Sequence, residues 1–167
     1  MLKVAAFIES LSDWSARISA VMLGCITLLI LLEIILWNTM QKTTLIADEY
    51  SAYGLAIIIF AGSGYCLRKK GHIRITLVLG LLPERLAKKI SFVATALSTC
   101  FMGYVTWYMA KMTLTTLKYG STSGTLTETP LWVPQSVMTL GAIIFVLQLA
   151  AITMRSYLAI NSEDDPL

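Results

Sequence analysis

The chain has 167 residues, of which 56% are apolar and only 14% charged, with a formal net charge of +3 and a mean hydropathy of +0.72. Soluble domains carry about 25% charged residues, so a single water-soluble core cannot take in these apolar runs. The positive charge lies beside the runs, which points to anionic lipid headgroups and away from nucleic acid.

At the N-terminus, Val4, Phe7, Ile8, Leu11, Trp14 and Ile18 fall at helical spacing, with Lys3, Ser10, Asp13 and Arg17 opposite. This pattern predicts an amphipathic helix lying in the membrane interface. The plainer alternative makes these residues the lead-in turns of the first span. A cleavable signal peptide fits poorly, because Glu9 and Asp13 interrupt what would be its apolar region.

The first span is expected over 18–41, which is uncharged apart from Glu33 and exceeds the ~20 residues needed to cross the hydrocarbon. Trp37 suits an interfacial belt. Ser12, Ala16, Ala20 and Gly24 recur every fourth residue and predict a helix-packing face. A carboxyl group inside a span is costly and often functional. Glu33 is therefore either a proton-coupling or substrate carboxylate, or a buried polar contact to a neighbouring helix or an acid that stays neutral. With no basic residue inside the other spans, the polar contact is favoured.

Asp48 and Glu49 stand where a helix N-terminus favours acids, and the second span follows at 50–67. Its Gly62-Ser63-Gly64 has no preceding strand and no third glycine at nucleotide-loop spacing, so it predicts tight helix packing. Next comes a basic connection, 68–89, with seven of the thirteen Lys and Arg residues: Arg68, Lys69, Lys70, Arg74, Arg85, Lys88 and Lys89. Such a loop stays cytoplasmic during insertion. It also carries His72, the only histidine, and Gly71, which permits a sharp turn. Arg68, His72 and Arg74 read as contacts to a partner subunit or to lipid phosphates, for which Arg is suited and Lys is not equivalent. Alternatively, they are topological anchors only.

Within that connection Ile75–Leu82 is apolar but too short to span. Pro83 suits the first position of a new helix, with Glu84 in its first turn. A third span follows at 90–110, with a stripe of Ser91, Thr95, Thr99 and Gly103 as a second packing face. The polar stretch 113–129 reads as a loop, with at most one further helical turn. Pro130 and Pro134 place a fourth span at 132–154, and 159–167 is an acidic polar tail. The expected architecture is one all-α domain over 1–158 with four transmembrane helices and both termini cytoplasmic. Ten Lys and Arg residues then lie inside and three, Lys42, Lys111 and Lys118, outside.

Cys25, Cys66 and Cys100 are far apart and form no Cys-x-x-Cys pair, so they indicate no metal or thiol redox centre. One histidine excludes a bis-histidine haem within this chain. No nucleophile has a recognisable base. Neither an enzyme nor a cofactor is expected.

Asp48-Glu49, Ala61-Gly62, Arg68-x-x-Gly71-His72-Ile73-Arg74 and Leu82-Pro83-x-Arg85 together resemble the small membrane subunit, DctQ-like, of tripartite ATP-independent periplasmic (TRAP) transporters. The resemblance covers roughly residues 1–158. It implies a bacterial inner-membrane protein that enlarges the static scaffold of a large, DctM-like transport subunit. That subunit would carry the substrate and sodium sites, and a periplasmic binding protein would deliver an organic acid such as a C4-dicarboxylate or sialic acid. Glu33 and Glu49 join Arg68, His72 and Arg74 as candidate partner or headgroup contacts. The residues also admit a small proton-coupled homodimeric exporter using Glu33, or an accessory subunit of another membrane complex.

Overall fold

Residues 2–69 and 83–161 are described by a computed structural model of the chain. Among them, the apolar runs form α1 (Leu2–Met40), α2 (Ala47–Arg68), α3 (Glu84–Tyr119) and α4 (Trp132–Asn161). All four are long and apolar enough to cross a membrane, and the chain is an all-α, multi-pass membrane protein. Gly71, His72, Arg74 and the run Ile75–Leu82 lie outside the described residues, as do residues 162–167 of the tail.

Helix boundaries have local causes. Beyond α1, Gln41 and Leu45 adopt positive φ values of 53° and 61° and turn the chain back. Pro83 precedes α3 as its N-cap, one position earlier than expected, and its carbonyl accepts from the Leu86 and Ala87 amides. Gly120 ends α3 at φ 62°, a left-handed conformation that glycine adopts without Cβ strain, and its amide donates to the Thr116 carbonyl. Pro134 falls in the first turn of α4, where an amide lacks an intrahelical partner in any case.

Two helices are longer than the uncharged runs. α1 is unbroken for 39 residues, with no glycine or proline before Gly24. The expected interfacial helix is thus continuous with the first span. From Ser12 onward it packs within the bundle, with Trp14 and Ile18 exposed. α3 runs past Ala110 to Tyr119, and there the hydroxyls of Thr113, Thr115 and Thr116 bond back to carbonyls one turn earlier. The α3–α4 loop therefore begins at Gly120.

The helices form a row. α2 lies between α1 and α4, α4 lies between α2 and α3, and α1 also touches α4. In the most apolar windows, 28% of the residues of α2 and of α4 are buried, against 11% for α1 and 6% for α3. The flanking helices thus turn most of their apolar surface outward. The interior mixes small and polar residues, Ser12, Ser15, Ser19, Ala61, Ala142 and Gln148, with a few large apolar ones, Ile57, Leu67 and Leu149. This is how membrane helices pack when lipid is as apolar as leucine.

The packing face of α1 differs from the expected stripe. Ser12, Ser15 and Ser19 are buried, whereas Ala20 is exposed and Gly24 has open space around it. A strict four-residue repeat drifts about 40° per step around a helix. Alternating steps of three and four keep to one face. The Ser15 hydroxyl donates to the Ala61 carbonyl of α2. The Ser19 hydroxyl lies 3.1 Å from the Ser15 carbonyl and 3.5 Å from the Ile58 carbonyl. A Cβ on Gly62 would lie 3.5 Å from the Ser19 hydroxyl, and one on Gly64 would lie 3.4 Å from Ile144. The Gly-Ser-Gly stretch thus serves helix packing. Between α3 and α4, Thr99 pairs with Thr153 at 3.0 Å and Thr113 with Thr139 at 3.1 Å. Both pairs keep one antiparallel register.

Candidate functional site

The end of α1, the start of α2, the end of α3 and the start of α4 share one end of the row. Glu33 and Glu49 both serve loops there. Glu33 sits on α1 two turns before Met40. The Thr43 and Thr44 hydroxyls donate to its carboxylate, and the Thr44 amide reaches both oxygens at 3.1 Å. Its partners thus belong to the α1–α2 loop rather than to the neighbouring helix expected from sequence. A carboxylate at this point absorbs the donors of a loop that turns sharply through Gln41 and Leu45.

Glu49 lies in the first turn of α2. It accepts hydrogen bonds from the Thr125 and Thr127 hydroxyls and, at 2.9 Å, from Tyr53. The network continues through Ser123 to Thr125 at 2.7 Å, Thr129 to Thr127 at 3.1 Å and Tyr50 to Thr129 at 3.4 Å. Backbone bonds close the same loop: Ser123 N–H to the Thr129 carbonyl at 2.9 Å and Leu131 N–H to the Ser121 carbonyl at 3.1 Å. Hydroxyl residues at 123, 125, 127 and 129 converge because the chain turns back between them: the Glu128 amide donates to the Thr125 carbonyl at 3.1 Å, and Thr122 and Pro130 form an antiparallel bridge. Glu49 gathers them. The loop tip then presents Leu126, 82% exposed.

Sequence reasoning named both glutamates but missed the hydroxyl cluster. The signal was the density of hydroxyl residues over 121–129, with Gly120, Gly124 and Pro130 among them as turn residues. The two glutamates hold different loops, and the structure gives each its own hydroxyl donors.

At the opposite end, Arg68 closes α2 and its side chain is outside what is described. Lys69 caps the helix, its amide donating to the Tyr65 carbonyl at 3.0 Å, with its ammonium 5.8 Å from the Tyr65 ring centre. His72 and Arg74 lie outside the described residues. Among the described residues, no three His, Cys, Asp or Glu side chains group as metal ligands would. Among the described residues, the buried oxygens of Ser12, Gln135 and Gln148 have no hydrogen-bond partner.

Neither the curated proteins nor the solved structures give a match to the chain. The family model for tripartite ATP-independent periplasmic transporters, DctQ component, matches residues 26–158. That match takes in the end of α1, both glutamates, the basic connection and nearly all of α4. On this match, which covers most of its length, the chain belongs to the DctQ component family of TRAP transporters.

Proposed function

We propose that this protein is the small permease subunit of a TRAP transporter, and that it scaffolds the large transport subunit in the bacterial inner membrane. The observation that carries this reading is the family match over residues 26–158. The packing supports it. A row of helices whose flanking members are little buried offers long apolar faces to another membrane protein. Glu33 is engaged by its own loop, as a structural carboxylate would be.

On this reading the domain covers residues 1–158, both termini and the connection 68–89 are cytoplasmic, and the Glu49-pinned loop faces the periplasm. Arg68, His72 and Arg74 contact the large subunit or lipid phosphates. Uptake is driven by sodium and depends on a periplasmic binding protein. The substrate is an organic acid of the C4-dicarboxylate or sialic acid kind, chosen by the other two proteins. Deleting this chain alone should abolish sodium-dependent uptake of the binding protein's organic acid, and supplying it again should restore uptake. Unchanged uptake without the chain would refute the role.

A further inference from the structure

Two exposed cations stand at the same level on opposite edges of the row. On α1, Arg17 lies between Ser15, whose hydroxyl donates to the Ala61 carbonyl, and Ser19, whose hydroxyl lies 3.5 Å from the Ile58 carbonyl. Arg17 is therefore level with the stretch 58–61 of α2, and it is exposed beside Trp14, 5.9 Å from that ring centre. On α3, Thr113 pairs with Thr139 at 3.1 Å, so Lys111, half a turn earlier on this antiparallel helix, is level with Gly141. Gly141 in turn meets Phe60 and Ala61. Lys111 is exposed as well. In a bundle standing upright, with its surfaces at Glu49 and Arg68, both cations would lie roughly 10 Å from one surface and roughly 18 Å from the other. A charge on the outer side of a helix at that depth is costly.

The apolar ends misfit an upright bundle in the same sense. Gly54 of α2 packs on Ile26 of α1, and from there α1 runs on to Met40, past the level of Ala47 by about 10 Å. Ile35, Trp37 and Met40 on that overhang are all more than half exposed. At the other end, the pairing of Thr99 with Thr153 sets Leu97 level with Arg155, past the end of α2 by about 10 Å. Val93, Leu97 and Phe101 are also more than half exposed. Upright, both apolar overhangs would stand in water.

We infer that the four helices cross the membrane with a shared lean of about 45° along the row, which brings Arg17 to one surface and Lys111 to the other and thins the hydrocarbon around the protein. The apolar runs of the edge helices, 18–41 and 90–110, are offset by roughly 30 Å along the axis. The edges stand roughly 25 Å apart at ordinary helix spacings, and that slope sets the lean. An apolar run of about 21 residues then covers roughly 22 Å of hydrocarbon instead of ~30 Å. A bilayer meets such a mismatch by thinning, at modest cost. The long stems of Arg17 and Lys111 carry their charges the remaining distance to the headgroups. This inference rests on register and exposure, so it does not fail with the transporter role.

The test is the depth of spin labels on the full chain, in its purified complex reconstituted into bilayers, with Cys25, Cys66 and Cys100 changed to alanine. Labels go on Val21→Cys and Leu28→Cys of α1 and on Phe101→Cys and Leu114→Cys of α3, all exposed positions. Val21 and Leu114 are level with the middle of α2, whereas Leu28 and Phe101 lie near the middle of their own apolar runs. The ratio of collisions with oxygen to collisions with a nickel chelate rises with depth. A leaning bundle makes that ratio several-fold higher at Leu28→Cys than at Val21→Cys, and at Phe101→Cys than at Leu114→Cys. Leu32→Cys and Leu97→Cys, one turn away, give a second reporter for each deep position and should rank with it. An upright bundle, its two cations paired by acids of another subunit, reverses both orders. Equality or reversal within either pair overturns the lean.

Discussion

Gly141 on α4 meets Ala61 on α2 so closely that a Cβ on Gly141 would lie 2.8 Å from the Ala61 backbone nitrogen. The obstacle is backbone, which cannot swing aside as a side chain could. Gly141→Ala must therefore push the two central helices apart, at a cost of about 1–3 kcal/mol. Thermal unfolding of the purified protein should show a clear loss of stability. Gly24→Ala and Gly103→Ala, with open space at both positions inside helices, should unfold no lower than wild type, because alanine is the better helix former. An unchanged melting temperature for Gly141→Ala would contradict the α2–α4 packing.

The α3–α4 loop should depend on Glu49. Glu49→Ala removes the acceptor shared by Thr125, Thr127 and Tyr53. Hydrogen exchange at the Ser123 and Leu131 amides, which close the loop, should become several-fold faster. Exchange within α3 and α4 should stay as it was. Unaltered protection at both loop amides would show that the backbone alone holds the loop.

Glu33 makes a different prediction, because its partners are hydroxyls and an amide of its own loop. Glu33→Gln keeps an acceptor and should retain substantial transport. Glu33→Leu leaves those donors unmatched and should lower assembly of the complex. Loss of uptake in the Gln variant, with the complex intact, would point to a coupling carboxylate instead.

How far the sequence was legible depends on the range of the interaction. Four spans could be read because each apolar run is long and its ends are marked by Lys42, Asp48, Arg68 or Pro130. The importance of small residues could also be read, but not the register. Ser15 and Ser19 replaced Ala16 and Ala20 on the packed face of α1 because helix crossing selects steps of three and four. The end of α3 was misjudged because threonine looks like loop chemistry until its hydroxyl bonds back into the helix. The pairing of Glu49 with Thr125 and Thr127 is a contact across 76 and 78 residues, which no local pattern encodes.

The basic connection separates anchoring from recognition. A cysteine introduced between Ser121 and Gly124 should react with an impermeant reagent from outside the membrane, and labelling only after lysis would reverse the orientation. Arg68→Lys with Arg74→Lys preserves charge but not guanidinium geometry. If these arginines make specific contacts, the double variant should lower complex recovery or uptake while topology stays intact. His72→Ala should act similarly without changing the count of fixed positive charges. Wild-type assembly and uptake in both variants would leave these residues as anchors alone.

The central claim is that this chain works as a subunit bound to a larger membrane protein. The most direct measurement is its purification from native membranes in mild detergent, followed by identification of whatever remains attached. The account predicts a stable complex with one large, polytopic transport subunit, and sodium-driven organic-acid uptake when that complex is reconstituted with its binding protein. A chain recovered alone or as a homodimer, and able by itself to export a substrate down a proton gradient, would contradict it.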